Sequence, residues 1–374
     1  MIPFNKPYLV GTENLYIGEA LASRKLSGDG SFTKRAQALI EAQLGSGKSL
    51  LTTSCTDALE AAALLCDLKP GDEVIVPSYT FVSTANAFAL RGATIRFADS
   101  GADNPNIDPA SVASLVNERT RAIVPVHYAG VACDMDALQA IADGVGATIV
   151  EDAAQAIASF YKGKPLGTLG TFSAFSFHET KNIVCGEGGA LHVNDPARAL
   201  DAEIVREKGT NRSAFFRGEV DKYNWVGLGS SYLPSELVAA FLTAQLEAVD
   251  AIQARRIAVW DRYAERLAHL AQRNDISLPV IPDYATNNAH MFYLVCDVLE
   301  TRTRLIEHLK ASGVMAVFHY QALHASPYFA ANNATQPLAQ ATRYTDCLVR
   351  LPLYADMDMD DADRVADAVC AFFG

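Results

Sequence analysis

No apolar run in the sequence reaches the ~18 residues that a membrane helix needs, so no membrane insertion is expected. Residues 1–7 (MIPFNKP) lack a basic stretch followed by an apolar core, so no signal peptide is expected and the protein reads as cytoplasmic. Cysteine is sparse: seven thiols, at 55, 66, 133, 185, 296, 347 and 370, form an odd set without a Cys-x-x-Cys pair. Reduced thiols are the simplest reading, and a disulfide framework is not expected. The eight histidines and the cysteines do not cluster at ligand spacing, so no metal site is expected either. Positive charge is also short. With 31 Lys and Arg against 43 Asp and Glu, the formal net charge is -12 at pH 7. An acidic surface of this kind argues against nucleic acid or an anionic membrane as the main partner. No Gly-x-Gly-x-x-Gly follows the first strand, which counts against a dinucleotide-binding oxidoreductase.

What is present is a chain of 374 residues, half of them hydrophobic, enough for a large core and a second, smaller one. Strand and helix patterns alternate. Strands are expected at 49–52, 73–77, 94–97, 122–126 and 148–152, with helices over 58–68, 85–91, 109–116 and 135–143 between them. Repeated alternation with apolar strands predicts an α/β fold with a mostly parallel sheet covered on both faces. A long helix is expected from Glu236 to about Ala271, with the change of domain inside it, giving 1–245 and a smaller α+β unit at 246–374. The polar, aromatic stretch 206–232 reads as a long loop with a functional or subunit-bridging role.

In such sheets the ligand sits beyond the carboxyl ends of the strands, and Ser54, Tyr79, Phe81, His127 and Asp152 all fall at such ends. The stretch 172–182 (FSAFSFHETKN) adds a strand with Phe172, Ala174, Ser176 and His178 on one side, and then Lys181 beside the turn Gly186–Gly189. A lysine leaving a strand against a buried wall can lose its proton and attack a carbonyl. Three parts then suit one cofactor, pyridoxal 5'-phosphate. They are an anion cradle at Ser54, Cys55 and Thr56 with Ser176, a carboxylate at Asp152 to keep the ring nitrogen protonated, and Lys181 for covalent attachment. Tyr79 or Phe81 could stack on the ring. Each part also has a plainer reading: Ser54 and Thr56 as helix caps, Asp152 as a partner of a surface base, Phe81 as core, Gln155 as a helix-start residue.

The segments 77–86 (PSYTFVSTAN), 125–130 (PVHYAG), 151–155 (EDAAQ) and 175–182 (FSFHETKN) resemble the DegT/DnrJ/EryC1/StrS family. These are sugar-nucleotide aminotransferases with the PLP-dependent transferase type I (aspartate aminotransferase-like) fold. The resemblance implies that Lys181 carries the Schiff base and shuttles the proton, and that Asp152 pairs with the ring nitrogen. It implies that Gln155 bonds the ring hydroxyl, that Phe81 stacks on the ring, and that Cys55, Thr56 and Ser176 hold the phosphate. Members take a further phosphate contact from an asparagine of the partner subunit. Here 229–233 reads GSSYL, so Ser231 would substitute. Tyr320 and His324 fall in the segment that faces the sugar nucleotide. Segments 206–213 (REKGTNRS) and 216–223 (FRGEVDKY), with 1–5 (MIPFN) and 318–320 (FHY), resemble members that aminate a dTDP-linked keto-sugar. The implied partners are that sugar, L-glutamate as donor, and a second copy of the chain in a homodimer or larger homo-oligomer with shared sites.

Overall fold

The computed structural model describes residues 1–331, 333 and 336–374. Its first half is an alternation of strands and helices: β1 (Lys48–Thr52), β2 (Glu73–Pro77), β3 (Thr94–Ala98), β4 (Thr120–Ile123) and β5 (Thr148–Asp152). A small hairpin of β6 (Phe160–Tyr161) and β7 (Lys164–Pro165) precedes β8 (Phe172–Ser176) and β9 (Gly189–Val193). Seven of these strands form one sheet in the order β1-β9-β8-β5-β4-β2-β3. All its neighbours pair in parallel except β9, which runs against both β1 and β8. The mostly parallel sheet expected from the alternation is therefore present.

Side chains leave a strand on alternate faces, and both faces here are covered. Leu51, Ile75, Ile123, Ile149 and Phe175 enter one apolar core with Phe32, Ile40 and Leu242. Their neighbours Leu50, Val74, Ala122, Val150 and Ala174 enter a second core with Leu59, Ala62 and Phe88 on the other side. Helix starts follow local chemistry. The Ser54 hydroxyl accepts from Asp57 N at the head of the helix Cys55–Leu65, and Asp134 accepts from Ala137 N at the head of Met135–Val145. The helix Ser31–Leu44 is capped from far away. The Glu236 carboxylate takes Gly30 N at 3.0 Å, Phe32 N at 2.8 Å and Thr33 N at 3.1 Å.

A third core holds a smaller antiparallel sheet of β10 (Ile276–Ser277), β11 (Phe292–Cys296), β12 (Val317–Phe318) and β13 (Leu348–Leu351), ordered β10-β11-β13-β12. Val259, Tyr263, Leu305 and Val365 pack on it, and Ile2 joins them from the other end of the chain.

Two local expectations change. The helix expected over 236–271 is two helices, Glu236–Glu247 and Val249–Leu267, bent by 63° at Ala248. No proline or glycine marks the bend. The apolar pattern runs on through it because the first helix is buried beside the large sheet, while the second crosses to the smaller one. The strand through 172–178 stops at Ser176, so His178 lies in the following loop, with Nδ1 2.9 Å from Thr180 Oγ1. The stretch 206–232 also contains a short helix, Arg212–Phe216, and two bridges, Glu207 to Ser231 and Thr210 to Trp225. Among the described residues, no single helix is long and apolar enough to cross a membrane.

Candidate active site

The strands β2, β5 and β8 end on one side of the large sheet, and the helix Cys55–Leu65 begins there. Facing them across a cavity of about 660 Å³ are Phe318, Tyr320 and Arg350 of the smaller unit, with Phe4 and Asn5 of the N-terminal segment. Asp152, Lys181, Cys55, Thr56, Phe81, Gln155, Ser176 and Tyr320 all line this cavity.

The helix start supplies donors. Ser54 takes Asp57 N, and the N–H groups of Cys55 and Thr56 have no acceptor among the described residues. Ser176 closes the cradle from the end of β8. The helix can come this near only because residue 189 is glycine: a Cβ there would collide with the Ser54 and Cys55 backbone. The cap reading and the anion reading of this turn are thus compatible, since the cap consumes one amide and leaves others free. Burial, helped by Asp152, holds the Cys55 thiol well above its ordinary range, so it stays protonated.

Asp152 ends β5 and is 5 % exposed. Its Oδ2 accepts from Thr84 Oγ1 at 2.7 Å and its Oδ1 from Ala154 N at 3.1 Å. No lysine or arginine forms an ion pair with it among the described residues, so the surface-pair reading does not hold. Burial raises its carboxyl above the usual range, against the Thr84 and Ala154 bonds and the Lys181 charge. Lys181 follows a turn in which its N–H bonds His178 O at 2.9 Å. Burial lowers its amine below the usual lysine range; Cys55 and Asp152 oppose this and Arg350 adds to it.

Phe81 stands before the helix Val82–Ala89, with its ring 56 % exposed at the cavity. Gln155 is held by Ala129 N at 2.7 Å on Oε1, which turns its amide nitrogen toward Tyr320 Oη at 3.2 Å. A phosphate cradle, a buried acid, an apolar ring face and a half-buried lysine line one cavity. This donor set fits pyridoxal phosphate.

Four expected residues stand elsewhere. Tyr79 is buried and does not line the cavity, and its hydroxyl donates to His319 O, so of the two candidate ring partners only Phe81 faces the site. His127 does not face the cavity. Its Nδ1 accepts from Cys133 N at 3.2 Å, so Nε2 carries the proton and donates to Glu151 Oε2 at 2.9 Å. Glu151 in turn takes the amides of Gly167, Leu169 and Gly170, so the pair braces the sheet. His324 is buried outside the cavity, with Nδ1 2.7 Å from Ser78 Oγ. Ser231 is exposed and does not line the cavity of its own chain.

His290, His319 and Arg350 of the wall escaped the sequence reading, and Asn182 supports the first of them from behind. Asn182 Nδ2 donates to Gln253 Oε1 at 2.9 Å and Asn288 O at 2.8 Å, so its Oδ1 must accept from His290 Nδ1 at 2.8 Å. Burial, with Lys181, Arg256 and Arg350, holds His290 well below its ordinary range, so the ring is neutral beside the lysine. His319 stacks on Tyr320 at 3.5 Å and its Nδ1 is 2.9 Å from Tyr128 Oη. Arg350 lies on β13, and a single charge inside the apolar run 348–353 (LVRLPL) was the signal that could have found it.

A family model described as the DegT/DnrJ/EryC1/StrS aminotransferase family matches residues 7–370. Among solved structures, the chain is similar to the aminotransferase TlmJ from Streptoalloteichus hindustanus. The identity is 29%, the coverage 100% of this chain and 99% of that one, and the TM-score 0.91. It is also similar to DesV of S. venezuelae, at 32% identity, 99% and 98% coverage and a TM-score of 0.90. Spr1654 of Streptococcus pneumoniae, in its PLP form, matches at 24% identity, 99% and 98% coverage and a TM-score of 0.90, a likeness that carries the fold alone.

Proposed function

The chain belongs to the DegT/DnrJ/EryC1/StrS aminotransferase family, and on that premise we propose that it aminates a dTDP-linked 4-keto-6-deoxyhexose. The acceptor in this reading is dTDP-4-keto-6-deoxy-D-glucose and the donor is L-glutamate. The products are dTDP-4-amino-4,6-dideoxygalactose and 2-oxoglutarate, for a cell-surface polysaccharide of the enterobacterial common antigen type. The coarser statement is firm: the protein is a PLP-dependent sugar aminotransferase. The finer one is supported by the segments 206–213 and 216–223 and by 318–320, which places Tyr320 at the cavity.

Pyridoxal phosphate supplies the carbon that takes up and releases the amine and the ring that delocalises charge. The chain's residues do the rest. Cys55 and Thr56 N–H with Ser176 Oγ hold the phosphate. Phe81 packs on one ring face, Gln155 Nε2 donates to the ring hydroxyl, and Asp152 keeps the ring nitrogen protonated. Lys181 Nζ would hold the cofactor covalently and would be free to act as a base once the donor has replaced it. Its amine would then carry the proton from the donor α-carbon, and in the second half would deliver one to C4 of the sugar. An amine already lowered by burial suits a base working near neutral pH. Ser231 would reach the cofactor phosphate of a second copy, since it stands away from its own.

One observation carries the reading: the half-buried Lys181 in the loop after β8 and the buried Asp152 at the end of β5 line one cavity, beside a helix start with free amides. The test is the visible spectrum of the purified protein before and after L-glutamate. A Schiff-base band that converts to the pyridoxamine form is expected. The aminated sugar product is then identified after adding dTDP-4-keto-6-deoxy-D-glucose. Turnover of a different nucleotide-linked keto-sugar, or the 4-amino-4,6-dideoxyglucose product, would replace the acceptor assignment. No band after adding the cofactor would remove the enzyme reading.

A further inference from the structure

A run of hydrogen bonds behind the cavity wall settles which nitrogen of His290 carries its proton. The run starts at a backbone carbonyl, Asn288 O, which can only accept. It takes Gln253 Nε2 at 3.1 Å and Asn182 Nδ2 at 2.8 Å, and this fixes how both amides face. Asn182 Nδ2 also donates to Gln253 Oε1 at 2.9 Å. Asn182 Oδ1 is then the atom left for His290 Nδ1, 2.8 Å away, so Nδ1 carries the hydrogen and Nε2 bears a lone pair. The backbone on either side is pinned as well. His290 N donates to Asn288 Oδ1 at 3.0 Å, and Arg256 donates to Ala289 O at 3.1 Å and to His290 O at 2.8 Å. The residue is 8 % exposed, and its ring cannot turn over without breaking this set.

The bare nitrogen meets no donor of the protein. His290 lines the cavity, and its Nε2 has no hydrogen-bond partner among the described residues. Lys181 lines the same cavity, and its Nζ has no hydrogen-bond or ion-pair partner among the described residues either. The charged groups that face the ring are Lys181 from the loop after β8, Arg256 from the helix Val249–Leu267 and Arg350 from β13, with Lys181 acting most strongly. The neutral His319 stands beside them. No carboxylate forms an ion pair with His290 among the described residues. Cations on several sides discourage a second proton on the ring, so Nε2 stays an acceptor at neutral pH. An acceptor that resists protonation can hold an N–H of a proton-carrying amine without competing for the proton.

We propose that His290 Nε2 accepts a hydrogen bond from the Lys181 amine whenever that amine is free of the cofactor, and that Asn182 keeps this nitrogen bare for it. The proposal rests on the aminotransferase reading but not on the identity of the sugar or of the amino donor. A neutral amine has two N–H groups and one lone pair. Giving one N–H to His290 fixes where the lone pair points. Once the amine has taken a proton, the same bond becomes charge-assisted and about twice as strong. The ammonium is thereby held between taking the proton and delivering it, while no proton passes to the ring. His290 and Asn182 are positioning residues, since both act through Lys181.

The test reads Lys181 before any substrate is added. Cofactor-free protein is mixed with pyridoxal 5'-phosphate, and the rate at which the Schiff-base band appears is followed from about pH 6 to about pH 10. Only the neutral amine attacks the aldehyde; the C=N bond forms and water leaves. The midpoint of the rate profile therefore reports the Lys181 amine. Ionisation of the free cofactor is common to parent and variants and cancels in the comparison. His290→Phe keeps a ring and removes the acceptor, so the midpoint should fall by about one pH unit, a tenfold change in the acid dissociation of the amine. His290→Gln, which offers an amide oxygen instead, should return most of the shift. Asn182→Leu, at a position outside the cavity wall, lets the ring carry its hydrogen on Nε2 and should shift the midpoint the same way by less. Far-UV circular dichroism reports folding, and if the Phe variant fails to fold, the Asn182 variant decides. Midpoints within about 0.2 pH unit of the parent in the folded variants would overturn the proposal and leave the aminotransferase reading in place. So would a shift that His290→Gln does not reduce, which would make packing of the ring its cause. A parent that forms no Schiff-base band would remove the aminotransferase reading itself, and this proposal with it.

Discussion

The Thr84 hydroxyl donates to Asp152 Oδ2 at 2.7 Å, joining the helix after β2 to the end of β5 beneath the cavity. Thr80 Oγ1 stands 2.9 Å from Thr84 Oγ1 and extends the link. The bond points the carboxylate and opposes the burial that would otherwise neutralise it. Thr84→Val keeps the shape and removes the donor. Stability should fall by about 1–3 kcal/mol, the cost of leaving a buried acceptor unmet. Cofactor affinity should fall with it, and a cofactor titration beside a denaturant melt reads both.

Asp152 offers a test with a defined sign. Burial raises its folded pKa above the ordinary carboxyl value. Between the two values the folded protein holds a proton that the unfolded chain has released, so stability declines as pH rises through that window. Without cofactor, Asp152→Asn removes this loss. Its melting temperature at neutral pH should equal or exceed the parent's, while its cofactor affinity drops. Thermal melts of the cofactor-free proteins at acidic and neutral pH check it; a variant less stable than its parent only at neutral pH would contradict the burial argument.

Lys181→Ala should leave a folded protein that binds the cofactor without a Schiff-base band. Amine transfer should fall by at least about a thousandfold, because the variant loses both the covalent hold and the proton carrier. Rapid-quench assay of product against the parent measures it, and turnover near the parent rate would end the role given to this lysine.

Gly189→Ala tests the cradle. A methyl group there would press on the Ser54 and Cys55 backbone and push the helix start out of line. A cost of about 1–3 kcal/mol in stability is expected, together with weaker cofactor binding. Ala at Gly45, where nothing lies within 4 Å but φ is +76°, should cost stability without touching the cofactor.

Glu236→Ala removes the distant cap of the helix Ser31–Leu44 and strands the amides of Gly30, Phe32 and Thr33. The loss should be about 2–4 kcal/mol in a urea melt. Glu236 is not part of the cavity wall, so cofactor affinity of the folded fraction should hold. Loss of affinity at unchanged stability would place this carboxylate in the site.

Much of the large sheet could be read from the chain because its signals are local. Apolar runs of strand length alternate with capped helices, and β2 and β5 fall at the residues expected, 73–77 and 148–152. The residues at strand ends were legible for the same reason, as a parallel sheet puts them on one side. The exceptions are instructive. His127 stands at a strand end, yet its ring turns to Glu151, and which way a side chain turns depends on partners 24 residues away. His324 falls four residues after Tyr320, but the short 3-10 turn Leu323–Ala325 carries it under Ser78, away from the cavity. The 63° bend at Ala248 left no mark, because helical periodicity continues across it.

By itself, then, the amino-acid sequence determined the α/β alternation, the caps at Ser54 and Asp134, and the order in which an acid and a lysine arrive at the strand ends. Each of these depends on residues close in the chain, where backbone geometry and spacing decide. The tertiary structure alone decided that Phe4 lies 4.6 Å from Arg350, and that Glu236 caps a helix two hundred residues before it. Such pairs are made by the packing of three cores against one another. Their energy depends on burial and on which partner is absent, as at the unpaired Nε of Arg350, and neither quantity exists until the chain has folded.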